Sequence, residues 1–290
     1  MNPAPSVIIF TVLSGLGFGF MAFLAAGALP ATGWGAFFIW ALGYALAVGG
    51  LVASTAHLGN PQRALLAFTQ WRSSWLSREA WASVATLLAL APLALSDLLG
   101  WGIPRGFGWT AAALCGVTIL CTAMIYAQMK AVPRWHHWTT PALFGAFAVT
   151  GGAILSGEKE IATGLCVVLV VVLVSSFYLG DQQFTKAGST LGTATGLGQI
   201  GTTSVFELPH TGGNYLMREM IYVVGRKHAV KLRGLALICL ACPVPVFWLF
   251  PAHSGIAIAT LLHLTGAFIA RWLFFAQAEH VVGLYYGARG

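Results

Sequence analysis

The stretch Val7–Leu29, VIIFTVLSGLGFGFMAFLAAGAL, carries no charged residue. A helix rises about 1.5 Å per residue and the hydrocarbon layer is about 30 Å thick, so a run of about 20 apolar residues makes one crossing. Seven runs of the same kind follow: Trp34–His57, Ala80–Leu99, Trp109–Met129, Thr140–Ser156, Ile161–Leu179, Ala229–Phe250 and Ser254–Phe275. With so many spans behind it, the first reads as a span and not as a cleaved signal peptide. The runs are continuous and do not alternate, which argues against a membrane β-barrel. The expected fold is an all-α integral membrane protein, a bundle of eight transmembrane helices in a single polytopic domain over residues 1–290.

Composition agrees with this. Charged residues make up 8% of the chain, hydrophobic ones 58%, and the mean hydropathy is +0.79; a soluble domain has about three times the charge. All five cysteines fall in expected spans and read as small packing residues. Cys239 and Cys242 form a C-x-x-C, but Pro243 follows inside an apolar helix and no second pair exists, so no metal site is expected. Gly15, Gly17 and Gly19 lack the preceding strand of a nucleotide-binding loop and read as a close helix contact. Pro92, Pro243 and Pro245 are expected to kink their helices.

Eight spans place both termini and the second, fourth and sixth connections on one face. Thirteen of the fifteen Lys and Arg residues then share that face, Arg271 among them, with Arg105 and Lys159 opposite. By the positive-inside rule the termini face is cytoplasmic, and the chain belongs in a bacterial cytoplasmic membrane. The sixth connection, residues 180–228, is the one long polar segment. Lys186–Thr203 reads as a flexible or partner-draped loop, rich in Gly, Ser and Thr. Tyr215–Lys227 has helical apolar spacing with basic residues interleaved, which suits a helix at the membrane surface or a docking surface for a soluble subunit.

The second connection carries the chemistry. His57 closes one span and Glu79 opens the next, with Arg63, Arg72 and Arg78 between them. If the two helices are antiparallel neighbours, an imidazole and a carboxyl reach the same depth, where one can hydrogen-bond a quinone oxygen and the other relay a proton. The plainer reading is headgroup contact. The arginines likewise read first as positive-inside anchors; the sharper reading has Arg63 or Arg78 hold Glu79 ionised or polarise a quinone carbonyl. Trp71 and Trp75 suit an interfacial belt, and their rings could wall a flat headgroup. Only His263 among the eight histidines falls near the middle of a span, so no bis-histidine haem is expected.

In His57-Leu58-Gly59-Asn60-Pro61 with Arg63, in Ser74-Trp75-Leu76-Ser77-Arg78-Glu79, and in Asn214-Tyr215-Leu216-Met217-Arg218-Glu219-Met220 with Arg226-Lys227-His228, the chain resembles the DmsC family, the membrane anchors of dimethyl sulfoxide reductase and related molybdenum oxidoreductases. The resemblance implies an assembly of three different chains. A ferredoxin-like iron-sulfur subunit and a large subunit with molybdopterin guanine dinucleotide would dock on the termini face, through Arg72, Tyr215, Arg218, Arg226 and Lys227. Electrons would be exchanged with ubiquinone or menaquinone, and the family's quinone-site histidine and glutamate fall on His57 and Glu79, with Arg63, Trp75 and Arg78 around them. Within this family dimethyl sulfoxide reductases oxidise menaquinol, whereas similar anchors of the SoeC type belong to a cytoplasmic sulfite dehydrogenase that feeds quinone. The basic face favours the sulfite enzyme. Beyond lipids and these subunits no partner is expected, and no nucleic acid. Rival readings are a secondary transporter, which would place ionisable groups at mid-membrane within two similar halves, and a purely structural anchor.

Overall fold

A computed structural model describes residues 1–56, 58, 60–207, 212–221 and 228–286, and in these residues every regular element is helical. In chain order the α-helices are α1 (Pro5–Ala25), α2 (Gly33–Thr55), α3 (Trp75–Leu99), α4 (Arg105–Ala127), α5 (Thr139–Leu155), α6 (Lys159–Lys186), α7 (Leu191–Thr195), α8 (Tyr215–Glu219), α9 (Ala229–Ala241), α10 (Pro243–Leu249) and α11 (Ala252–Ala276). A 3₁₀ segment, Pro61–Phe68, links α2 to α3. Seven helical stretches are long and apolar enough to cross a membrane, with α9 and α10 together forming one of them. This is a multi-pass membrane protein. The expected eighth span is α5, an apolar helix of 17 residues that covers about 26 Å.

Helix ends follow local chemistry. Pro5 starts α1 where its missing N–H costs nothing, and Gly100, at φ 71°, closes α3 in the left-handed region. Pro243 interrupts the seventh expected span, so α10 begins after a break at Cys242, whereas Pro92 sits inside an unbroken α3.

Hydropathy alone does not tell a lipid-facing helix from an enclosed one. Twelve of the 21 residues of α1 are buried against five of the 23 in α2, so α1 is the axis of the bundle. It packs on α2, α4, α5 and α11. Two glycines let it do so. A Cβ at Gly17 would overlap the Ala47 backbone of α2, and one at Gly19 the Ala148 carbonyl oxygen of α5. The expected glycine contact holds for Gly17 and Gly19, on different neighbours, and fails for Gly15, where a built Cβ has nothing within 4 Å. Leu88, Val52 and Leu261, each at least 60% exposed, lie on the outer surface, where lipid replaces water.

Helices α2 and α3 run antiparallel, joined by Trp40 Nε1 donating to Asp97 Oδ2 (2.8 Å) and Tyr44 Oη donating to the Leu87 carbonyl (2.8 Å). The same register carries Thr55 to the level of Glu79. Between α3 and α4, Thr86 and Thr118 share a hydroxyl–hydroxyl bond of 2.9 Å. At the ends of α6 and α9, Arg233 grips Asp181 with two bonds of 2.6 and 2.7 Å, and Arg134 meets the same carboxylate. Asp181→Asn should lower the melting temperature of the detergent-solubilised chain by a few degrees, since partly exposed ion pairs are each worth about 1 kcal/mol or less.

Two connection readings change. Helix α6 continues seven residues past Leu179 to Lys186, and the stretch read as flexible folds into α7 and a 3₁₀ turn over Leu197–Gln199. Thr190 and Thr193 form a reciprocal cap at the start of α7, and Tyr285 Oη donates to the Ala194 carbonyl (2.5 Å). Of the expected helix over Tyr215–Lys227, α8 covers Tyr215–Glu219; Tyr222–Lys227, with Arg226 and Lys227, lie outside the described residues.

Candidate functional site

Helix α3 starts five residues earlier than its apolar run, at Trp75, so Glu79 stands inside the second turn rather than at the mouth. The cause is local. Arg78 folds back to donate to the Trp71 and Arg72 carbonyls (3.0 and 2.7 Å), Ser77 Oγ donates to the Ala67 carbonyl, and Trp81 Nε1 donates to that of Phe68 (3.0 Å). Ser77 and Trp81 thus hold the 3₁₀ segment as a flap beside the helix, and Arg78 holds the turn that follows it.

Under that flap lies a cavity of about 580 Å³. Its walls are the ends of α1, α2, α3 and α4, with Ala64, Leu65, Ala67 and Phe68 of the flap and Trp135 from the connection after α4. The lining is overwhelmingly apolar. Two polar groups of α3 stand out on it. Glu79, 4% exposed, accepts from Thr122 Oγ1 of α4 at 2.5 Å. Ser83, one turn further along the same face, is buried and its hydroxyl has no hydrogen-bond partner among the described residues. A buried carboxyl beside an apolar chamber responds in its protonation to whatever enters.

Trp135 forms part of the wall. It is 2% exposed, stacks on Phe274 with ring centres 5.3 Å apart, and donates through Nε1 to the Phe274 carbonyl (3.0 Å). Met1 and Asn2 also border the cavity, and Asn2 is bonded to Glu219 of α8, backbone N to carbonyl O at 2.7 Å. Asn214 caps α8 by accepting from the Met217 N–H (2.9 Å). Two of the three stretches that carry the sequence resemblance, around Glu79 and around Asn214–Glu219, therefore meet at one end of the molecule. Burial and the Met1 amino group hold His280, in the tail beside this end, below the ordinary imidazole value.

The expected site residues divide. Glu79 lines the cavity. His57 lies outside the described residues; its sequence neighbours Thr55 and Leu58 line the cavity. Arg63 is exposed and is not in the lining. Arg78 is engaged with the Trp71 and Arg72 carbonyls and lies over the Trp75 ring at 4.4 Å, and neither Arg78 nor Trp75 borders the cavity. Arg72 and Arg218 are exposed, and Tyr215 is 68% exposed. The sequence reading missed Ser83, Thr122 and Trp135. Ser83 follows Glu79 by four residues, and Thr118 and Thr122 repeat the spacing on α4, a helical period in polar residues that could have found them. Among the described residues no group of three His, Cys, Asp or Glu gathers in a form that could hold a metal.

The geometry fits a flat polar ring with an apolar tail. The volume lies within the 300–1,000 Å³ of ordinary ligand pockets, and an unpartnered hydroxyl and a carboxyl sit on one wall of an otherwise greasy chamber. A sequence model of the DMSO reductase anchor subunit (DmsC) family matches residues 1–287. A sulfite dehydrogenase subunit of Allochromatium vinosum is similar to the chain at 30% identity, with 99% of each covered.

Proposed function

The chain belongs to the DMSO reductase anchor subunit (DmsC) family, and from that premise we propose that it is the quinone-reactive anchor of a three-subunit molybdenum and iron-sulfur oxidoreductase. Quinone, when bound, supplies a carrier of two electrons and two protons. The observation that carries the reading is the cavity beneath the flap, where Glu79 and Ser83 offer the headgroup its only two polar contacts on α3 and the remaining surface receives the tail. Glu79 passes a proton to or from the headgroup, Ser83 orients it by a hydrogen bond, and His57, which follows α2 in the sequence, binds the opposite oxygen. Trp135 excludes water from its side of the cavity. The iron-sulfur subunit docks on the face that carries α8, Arg72 and Arg218, which brings its nearest cluster to the mouth of the cavity.

The relative that is a sulfite dehydrogenase subunit favours sulfite as the electron source, with the molybdenum centre in the large subunit. The family description favours the alternative, oxidation of menaquinol to reduce dimethyl sulfoxide. Sulfite-dependent quinone reduction by the intact complex separates them from quinol-dependent sulfoxide reduction. In the proposed topology α5 crosses as a short eighth span, since it is packed among α1, α4, α6 and α11. With Arg271 buried inside the bundle, twelve of the fifteen basic residues then lie with the termini on the cytoplasmic side.

The decisive experiment purifies the complex in mild detergent and extracts it. Molybdenum, iron and quinone should co-elute from the native complex, and Ala80→Trp, which puts an indole into the cavity wall, should release metals without quinone. Quinone retained by that variant would refute this cavity as the site. A native complex with metals but no quinone would leave a structural anchor, and a chain eluting without metals would point to a transporter.

A further inference from the structure

Arg271 is not at the rim, where its place near the end of the last span put it. It is 4% exposed, lies five residues inside the end of α11, and its guanidinium carbon sits 3.6 Å from the centre of the Phe144 ring. Its Nε and Nη1 have no hydrogen-bond partner among the described residues. A cation placed there, beside aromatic faces, is costly within a bilayer, and residues of this kind are kept for a task.

A second, inner cavity explains what it faces. Its volume is about 20 Å³, room for water and nothing larger, and Arg271, His263, Thr11, Ser14 and Thr122 line it. His263, 3% exposed, also presents an unpartnered nitrogen, Nδ1. Thr122 belongs to both chambers: it borders the inner one, and its hydroxyl donates to Glu79 on the wall of the outer one. Tyr126, one turn further on α4, lies within electrostatic reach of both Glu79 and Arg271.

Building on the quinone reading, we propose that Arg271 is the buried counter-cation of Glu79, joined to it through the Thr122 hydroxyl and water held in the inner cavity, and that it sets the protonation cycle of that carboxyl during turnover. Arg271 touches no substrate, so it is a positioning residue. The other titratable or charged groups around the pair are Arg78 on α3, Cys121 and Tyr126 on α4, His263 on α11 and the Met1 amino group; α1 and α5 contribute no charge. With a neutral side chain at 271 the carboxyl meets less positive potential and gives up its proton at higher cost. Quinone reduction needs Glu79 to hold a proton and quinol oxidation needs it to lose one, and in both cases the profile moves toward alkaline pH.

The test uses the complete complex in membranes. In Arg271→Gln, quinone-linked kcat should fall on the order of tenfold with KM for quinone little changed, dye-linked turnover of the soluble subunits should persist, and the pH profile should move up by about one unit. Arg271→Lys should restore the profile, and Thr122→Val should displace it in the same direction by less. An unmoved profile in Arg271→Gln, or no restoration by lysine, overturns the proposal. If Arg271→Gln does not assemble, Thr122→Val decides, and an unmoved profile there has the same force. Full quinone turnover in Glu79→Gln would instead sink the quinone reading itself; a defective Glu79→Gln with unmoved profiles in the other variants sinks only the role of Arg271.

Discussion

Glu79→Gln should lower quinone-linked turnover of the intact complex by about 10²-fold or more while dye-linked turnover of the soluble subunits stays within twofold. The substitution keeps size, burial and the ability to accept from Thr122 Oγ1, so the cavity and the α3–α4 contact persist. What is lost is the group that can take up and release a proton beside the headgroup. A glutamine cannot do this at any accessible pH. The chamber is apolar apart from the few groups named, so bulk water is a poor substitute, and the loss should fall within the range seen when a positioned acid or base is removed. Membrane vesicles assayed with quinone and, separately, with an artificial dye distinguish the outcomes. Equal loss in both assays would mean that Glu79 serves assembly, and no loss in either would remove it from the mechanism.

Gly19→Leu should abolish accumulation of the chain in membranes, and with it both activities. The α1–α5 contact brings Gly19 so close that a Cβ would overlap the Ala148 carbonyl oxygen, and a backbone atom cannot swing aside as a side chain does. The two helices must separate along their length, in a setting where association depends on close backbone approach because lipid tails are as apolar as the side chains. The cost should reach or exceed the ~3 kcal/mol at the upper end of ordinary overpacking, against a total stability of only about 5–15 kcal/mol. Gly116 on the exposed face of α4 has nothing within 4 Å of a built Cβ, so Gly116→Leu is the matched control and should accumulate normally. Size-exclusion profiles of tagged chains report both variants. A Gly19→Leu chain eluting like the native protein would show that α1 and α5 do not need this approach.

These two substitutions mark what the sequence made legible. The spans could be read because a bilayer imposes length and apolarity on each helix separately, and a one-dimensional pattern records both. The start of α3 could not be read that way. Arg78 and Glu79 break the apolar run, so hydropathy begins the helix at Ala80, whereas the hydrogen bonds of Ser77 and Arg78 to the preceding connection start it at Trp75 and move Glu79 from the rim to the wall of a chamber. Arg271 escaped for a related reason. Its distance from the end of a span suggests an anchor, but only the packing of α11 on α5 reveals that its side chain points inward, over Phe144. The flap had no signal, because a 3₁₀ segment fixed by bonds to its carbonyls leaves no period in its own residues. Glu79 itself was marked by the resemblance, and Ser83 and Thr122 were within reach of a polar period that apolar surroundings obscured.

The way the flap is fastened has an evolutionary corollary. Its attachments run from Ser77 and Trp81 to the Ala67 and Phe68 main-chain oxygens, which every amino acid possesses. Residues such as Leu65 and Phe68, which shape the chamber, are therefore free to diversify without detaching the segment. Related anchors could adapt to carriers with different tails by exchanging this upholstery while the frame stays put.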